Sequence, residues 1–183
     1  MNNVLVGSII SSRPRRVELG AAWATILLAG AIFGFFFAWV CSTMWGLDDA
    51  DPRVAIAAMQ AMNASVRNAV FFPAFFLTPV VALVTAGFAL AVGSRRAATM
   101  FALAALVYGL GGLAVTLAVS VPMNEALAAV DVPTDRAAAG EVWREYSPRW
   151  QAYNQARTVA SGLALLLCAA GLTALAGGRG RPG

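Results

Sequence analysis

Residues 19–47 read LGAAWATILLAGAIFGFFFAWVCSTMWGL, 29 consecutive positions without a charged side chain. Three further stretches share this property: residues 68–94, 97–124 and 158–178. Each exceeds the ~20 apolar residues that a helix needs to cross a hydrocarbon core of ~30 Å. Only 12% of the chain is charged, whereas soluble domains average about 25%. We therefore predict an all-α fold, a four-helix transmembrane bundle.

The uncharged stretches and the helix-start signals between them set the predicted boundaries. We expect one integral membrane domain over residues 1–183. Its spans are expected at about 17–47, 69–92, 95–121 and 155–177. Helices two and three are expected to be extended on the extracytoplasmic side, in the regions at about 48–68 and 122–154. Asp51 followed by Pro52 is typical of a helix start. The helical pattern then runs through the second span, with kinks expected at Pro73 and Pro79. A short helical cap is expected over residues 133–146.

The placement of arginine predicts the orientation. Arg95 and Arg96 lie between the second and third spans. Further arginines flank the two ends of the chain: Arg13, Arg15, Arg16, Arg179 and Arg181. The other two connections mix acidic residues with arginine. Because basic residues concentrate in cytoplasmic loops, we expect both termini on the cytoplasmic side of the inner or plasma membrane. No cleaved signal peptide is expected.

Polar side chains gather near the predicted outer border. They lie on helices two, three and four: Gln60, Asn63, Arg67 and Asn68; Asn124 and Glu125; Trp150, Asn154 and Arg157. Because ionisable groups at this depth are costly unless they are paired or face a wet cavity, we expect Glu125 to bridge Arg67 and Arg157. The aromatic residues of the fourth segment would form a roof: Trp143, Tyr146, Trp150 and Tyr153.

Two interpretations of this cluster remain open. In one, the polar residues form an interfacial network that fixes the bundle, and Trp and Tyr are ordinary membrane-belt anchors. In the other, they line a polar chamber beneath an aromatic lid, suited to a flat amphipathic molecule. The net charge of +4 comes from arginines at the membrane borders, so we expect no nucleic-acid partner.

The absence of histidine narrows the chemistry. With no His in the chain, His-ligated haem, common di-iron centres and most copper or zinc sites are excluded. The sequence has no glycine-rich phosphate loop and no nucleophile elbow. An enzyme of this composition would act through Arg, Asn, Glu and Tyr, or through a cofactor bound without imidazole. We predict no metal site and no cofactor.

Three stretches carry a resemblance to a known family: residues 60–68 (QAMNASVRN), residues 121–127 (VPMNEAL), and the run of Trp143, Tyr146 and Trp150 that leads into residues 154–158 (NQART). In order and spacing the chain resembles the anthrone oxygenase-like family of four-span membrane proteins. Characterised members oxidise anthrones to anthraquinones. The resemblance therefore implies a cofactor-independent reaction, since a deprotonated, electron-rich anthrone reacts directly with oxygen.

The resemblance also implies roles for the polar residues. Arg67 and Arg157 would hold the enolate oxygen, and either Glu125 or Tyr146 would act as the base. The remaining members of the set would bind the substrate: Gln60, Asn63, Asn68, Asn124, Trp143, Trp150 and Asn154.

Two hypotheses for the function follow. The first is a membrane-embedded oxygenase-like protein that acts on a lipophilic phenolic, anthrone or quinol-type molecule in a polar chamber at the outer membrane border. The second is a non-catalytic accessory subunit that binds a lipid or a partner helix. Transport is a weaker alternative, since transporter sites usually lie at the membrane midplane. The expected partners are membrane lipid, a lipophilic small molecule, and either a second copy or a partner subunit.

Overall fold

The computed structural model describes residues 14–177, without the side chains of Pro14 and Arg15. Helices joined by short turns make up this range, and it contains no strand. The all-α prediction is confirmed. The orientation signals at Arg13, Arg179 and Arg181, and the signal-peptide prediction for the first dozen residues, lie outside the described residues.

Ten helical segments follow one another along the described chain. They are α1 (Pro14–Ala38), a π-helical turn π1 (Trp39–Thr43), α2 (Met44–Asp49), α3 (Pro52–Ser65), α4 (Phe71–Ala91), α5 (Arg95–Tyr108), two π-helical turns π2 (Gly109–Ala114) and π3 (Thr116–Ser120), α6 (Val121–Ala128) and α7 (Arg136–Gly177).

Four continuous helical runs are long and apolar enough to cross a membrane: Arg16–Asp49, Phe71–Ala91, Arg95–Ala128 and Arg136–Gly177. The chain is thus an integral membrane protein built as a helical bundle. Around the bundle, α1 packs on α4, α4 on α5, α5 on α7, and α7 again on α1.

Small residues let the third and fourth spanning runs approach closely. A Cβ added at Gly111 in π2 would lie 2.5 Å from the Cβ of Ala160 in α7. A Cβ added at Gly171 would lie 2.8 Å from the ring of Phe101. Both positions therefore need glycine for this helix spacing, as is common between membrane helices.

The prolines of the second spanning helix have different consequences. Pro73 is the third residue of α4, where a backbone N–H would have no partner within the helix, so it fits the first turn. Pro79 lies inside α4 and cannot donate to the carbonyl of Phe75, four residues earlier. The Tyr108 hydroxyl of α5 donates to that oxygen at 2.9 Å. A cross-helix bond replaces the missing intrahelical one.

A second apolar core lies at the distal end, which we define as the end opposite the Gly93–Ser94 turn. It joins α2, α3, α6 and the first half of α7 through Met44, Ile56, Met59, Leu127 and Trp143, among others. At the start of α3, Asp51 Oδ1 accepts from the Arg53 amide at 3.0 Å. The hydrogen-bonded Arg53 guanidinium lowers the pKa of the half-buried Asp51 to about 2.

The structure differs from the expected boundaries in two places. The helix expected to run on from Pro52 through the second span divides into α3 and α4, with a non-helical turn at residues 66–70. Residues 133–146 do not form a separate cap, because α7 continues without a break through Pro148 from Arg136 to Gly177.

Candidate functional site

A cavity of about 300 Å³ lies between the bundle core and the distal core. Residues from α1, π1, α3, α4, π3, α6 and α7 line it. Its walls are mainly aromatic, with Phe36, Phe71, Phe75, Trp39 and Trp150 among them. The polar lining is Asn63, Arg67, Thr116, Asn124, Glu125, Asn154 and Arg157. Most of the residues predicted as a site are therefore brought together around one cavity.

Arg157 is the charged group that the protein buries in this cavity, with 5% of its surface exposed. Its Nη1 donates to Thr116 Oγ1 at 3.2 Å and its Nη2 to Asn154 Oδ1 at 3.0 Å. The guanidinium carbon lies 4.6 Å from the ring centre of Phe36 and 5.4 Å from that of Trp150. Both contacts are within the range of cation–π attraction.

No carboxylate of the described chain pairs with Arg157. Its Nε is also buried, without a hydrogen-bond partner among residues 14–177. Burying a charge without a counter-ion costs free energy. Ionisable groups inside membrane proteins therefore often mark functional sites. The lining of the cavity thus contains a positive charge and a guanidinium N–H that has no partner in the described chain.

A second free donor comes from a chain of hydrogen bonds that orients two amides. Asn124 Oδ1 accepts from the Tyr146 hydroxyl at 2.8 Å and from Trp150 Nε1 at 3.0 Å. These two donors fix the Asn124 side chain, whose Nδ2 then donates to Asn63 Oδ1 at 3.0 Å. Asn63 is left with its Nδ2 buried and without a partner in the described chain.

The ion pair at the cavity differs from the expected arrangement. Glu125 lies 3.4 Å from Arg67 Nη2, and both side chains are more than half exposed. Glu125 does not bridge to Arg157, which binds Thr116 and Asn154 instead. An exposed pair of this kind contributes little to stability because water and salt screen it. Glu125 and Arg67 therefore form an accessible rim to the cavity.

Gln60 and Asn68 do not line the cavity. Gln60 Nε2 donates to the carbonyls of Leu127 and Val130, both at 2.9 Å, and so ties α3 to the end of α6. Asn68 Oδ1 accepts from two amides at the start of α4, each at 2.9 Å. Such local side-chain bonds compete with helix continuation, which accounts for the turn between α3 and α4.

Trp143 and Tyr146 also lie behind the cavity wall. Trp143 Nε1 donates to Asp48 Oδ1 at 2.9 Å, and the same carboxylate accepts from Ser147 at 2.6 Å and from Gln151 at 2.8 Å. This group clamps the end of α2 to α7. Tyr146 is buried in the distal core and donates to Asn124.

The sequence prediction missed Thr116 and the aromatic wall on α1 and α4. Phe residues in an apolar span are typical of lipid-facing or core positions, so composition alone could not separate them. The one available signal was the spacing of the aromatic residues in α1 and π1, since Trp39 follows Phe35 by four residues and Phe36 by three. Two π-helical turns, π1 and π3, contribute cavity residues, and π-turns are frequent at functional sites.

Comparison with known proteins gives one family match. The family model described as anthrone oxygenase matches residues 65–167, more than half of the chain. This range contains Arg67, Asn124, Glu125, Asn154 and Arg157. No curated protein and no solved structure gives a significant match.

Proposed function

Since the chain belongs to the anthrone oxygenase family, we propose that it is a membrane-embedded, cofactor-independent oxygenase for a lipophilic phenolic, anthrone or quinol-type molecule. Family membership supports the reaction class, and we assign the reaction to the cavity. Its volume, about 300 Å³, lies at the lower end of the ~300–1,000 Å³ usual for small-molecule sites. A flat ligand of a few fused rings suits this volume and its aromatic walls.

The observation that carries the proposal is Arg157, which is buried beside an aromatic wall and has no carboxylate partner among residues 14–177. Loss of a proton from an anthrone places negative charge on its carbonyl oxygen. A fixed cation and preorganised donors in a dry site stabilise such an oxyanion far more than water does. Among the residues that line the cavity, Arg157 Nε and Asn63 Nδ2 are the buried donors that have no partner in the described chain.

The reaction balances without a cofactor. A base removes one proton from the ring methylene, and the electron pair of that C–H bond moves onto the oxygen held by Arg157. The carbanion carbon then donates electrons to molecular oxygen and forms a C–O bond. The resulting peroxide takes up the proton that the base removed. The remaining proton on this carbon then leaves as the O–O bond breaks, which releases water and forms the second carbonyl, so that anthrone and O₂ yield anthraquinone and H₂O. Glu125 is the carboxylate that lines the described cavity, and we assign the base role to it.

Oxygen uptake by the purified protein with an anthrone substrate tests the proposal. Removal of one oxyanion donor typically lowers kcat about 10²–10³-fold, and we expect a loss of this size for Arg157→Gln. Arg149→Gln is the matched control, because Arg149 is exposed on the same helix and does not line the cavity. The oxygenase assignment is contradicted if folded wild-type protein consumes oxygen no faster than buffer alone, or if Arg157→Gln keeps full activity.

A non-catalytic binding subunit is the second candidate. It is favoured by the position of Glu125, which is more than half exposed at the rim rather than buried beside the free donors. On this hypothesis the cavity holds an anionic or phenolic ligand without turning it over. Binding of the anthrone that depends on Arg157, together with no oxygen uptake, would select this candidate.

A further inference from the structure

A groove adjoins the cavity on the flank formed by α1 and α4. It encloses about 470 Å³, against about 300 Å³ for the cavity itself. Cavity and groove share five lining side chains: Phe35, Trp39, Met62, Val66 and Phe71. The two spaces are therefore neighbours across a wall one side chain thick. Met62 gives that wall an unbranched, flexible member.

The groove is lined mainly by apolar side chains. Its two polar members are Ser65 and Asn68, and both are engaged. Ser65 Oγ donates to the Met62 carbonyl at 3.0 Å. Asn68 donates to the Ser65 carbonyl at 2.7 Å and accepts the two amides that begin α4. No charged residue of the described chain lines the groove, so its chemistry suits hydrocarbon.

The groove is open at the outer surface of the bundle. Ala31 lines it from α1 and is exposed, and Val70, on the turn before α4, is 87% exposed. The cavity behind the shared wall differs sharply, because it holds Arg157 and the amides of Asn63 and Asn154. A cavity that holds a buried cation, next to an apolar groove at the surface of the bundle, matches a molecule that has a polar ring at one end and a hydrocarbon chain at the other.

We propose that the ligand is a phenolic or quinol-type ring carrying an alkyl or isoprenoid tail, with the ring in the cavity at Arg157 and the tail in the groove between α1 and α4. This inference rests on the proposed function for the identity of the ring alone. The tail enters laterally from the bilayer, and the ring follows past the shared aromatic wall. A lipid acyl chain without such a ring would occupy only the groove.

The test compares two probes of one ring system, 2-methylanthrone and 2-decylanthrone. Binding is followed without oxygen, in the full-length protein, through quenching of tryptophan fluorescence, since Trp39 and Trp150 line the cavity. The groove is narrowed by Ala31→Phe, a position that lines the groove but not the cavity. Ala24→Phe is the control, because Ala24 is an exposed alanine two turns earlier on the same face of α1.

We expect Ala31→Phe to raise the Kd of 2-decylanthrone about tenfold, the effect of excluding roughly two methylene groups from contact. The Kd of 2-methylanthrone should stay within about twofold of wild type, and Ala24→Phe should change neither. Partitioning into detergent is common to all variants and cancels in these ratios. Ala74→Leu, from the α4 side of the groove, should repeat the result if Ala31→Phe lowers the yield of folded protein.

The outcomes separate this inference from the proposed function. Equal changes for both probes, or none for the decyl probe, would overturn the tail site even if oxygen uptake is normal. Failure of both probes to bind the wild type would overturn it as well. Tail-dependent binding without oxygen uptake would support the tail site and reject the oxygenase.

Discussion

Arg157 combines a permanent charge with almost complete burial. The effective cost of moving such an ion out of water is several kcal/mol, and the described chain offers two neutral acceptors and two aromatic faces to offset it. A ligand oxygen at Nε would add the missing bond. A lysine here would keep the charge but would lose the planar fork that reaches Thr116 and Asn154 together.

The role of Tyr146 can be tested at the same scale. In the structure its hydroxyl is a donor that orients Asn124, whereas the sequence also allowed it to be the base. If Tyr146 is a positioning residue, the substitution Tyr146→Phe should lower kcat/KM about fivefold, which is the effect of losing one hydrogen bond of ~1 kcal/mol. Loss of a general base would lower it about 10²–10⁴-fold. Steady-state oxygen uptake measures the difference.

The pH profile of the same variant gives an independent readout. If Tyr146 only positions Asn124, the shape of the kcat/KM profile should match that of the wild type, with a uniform decrease at every pH. Disappearance of one limb of the profile would assign the titrating group to Tyr146 and contradict its positioning role. Trp150 still donates to Asn124 in this variant, so the fold of the site should persist.

At the scale of elements, irregular helix geometry places the polar groups. A π-helical turn shifts the bonding pattern from four residues to five, which leaves carbonyl oxygens without their usual donors. Asn154 Nδ2 donates to the carbonyl of Phe36, just before π1, at 3.1 Å. The hydroxyl of Thr116, the first residue of π3, accepts a hydrogen bond from Arg157. Polar side chains of α7 therefore hydrogen-bond at or near a π-helical turn in two of the other spanning runs.

Pro79 and Tyr108 give a prediction about coupling between elements. Tyr108→Phe should destabilise the protein by about 1–3 kcal/mol, because the Phe75 carbonyl is then buried without a donor. In a Pro79→Ala background the backbone N–H of residue 79 can bond to that carbonyl, so the same change should cost about 1 kcal/mol less. The double-mutant cycle compares the free energies of unfolding, in mixed micelles, of the wild type, the two single variants and the double variant. Strictly additive changes in these free energies would contradict the coupling.

At the scale of the whole molecule, the predictable features are those that sum over many residues. The number of spans follows from the hydropathy of four long stretches. Because each stretch sums over more than 20 residues, a single substitution would not change that number. At the division of α3 from α4, the Asn68 side chain accepts the amides of Val70 and Phe71, a local detail that hydropathy does not report. The pairing of Glu125 with Arg67 but not Arg157 depends on depth within the bundle, which charge spacing along the sequence does not encode.

The orientation of the molecule is a prediction that determines how a ligand reaches the cavity. The basic turn at Arg95 and Arg96 should be cytoplasmic. The described chain then places Asp131, in the connection before α7, on the opposite side. In a background with Cys41 and Cys168 replaced by Ala, Asp131→Cys should react with a membrane-impermeant maleimide in intact cells. Ser94→Cys should react only after permeabilisation.

Both positions lie in connections rather than in spans, so labelling reports the side of the membrane and not depth within it. The cavity is lined by the ends of the spanning runs on the Asp131 side, as Asn124 and Glu125 lie one to two turns before that residue. Labelling of Asp131→Cys in intact cells would therefore place the cavity and its groove in the outer half of the bilayer, and a tailed ligand would enter from the outer leaflet. The reverse pattern would contradict the arginine rule for this chain and would put the site at the cytoplasmic leaflet, where a ligand made inside the cell reaches it without crossing the membrane.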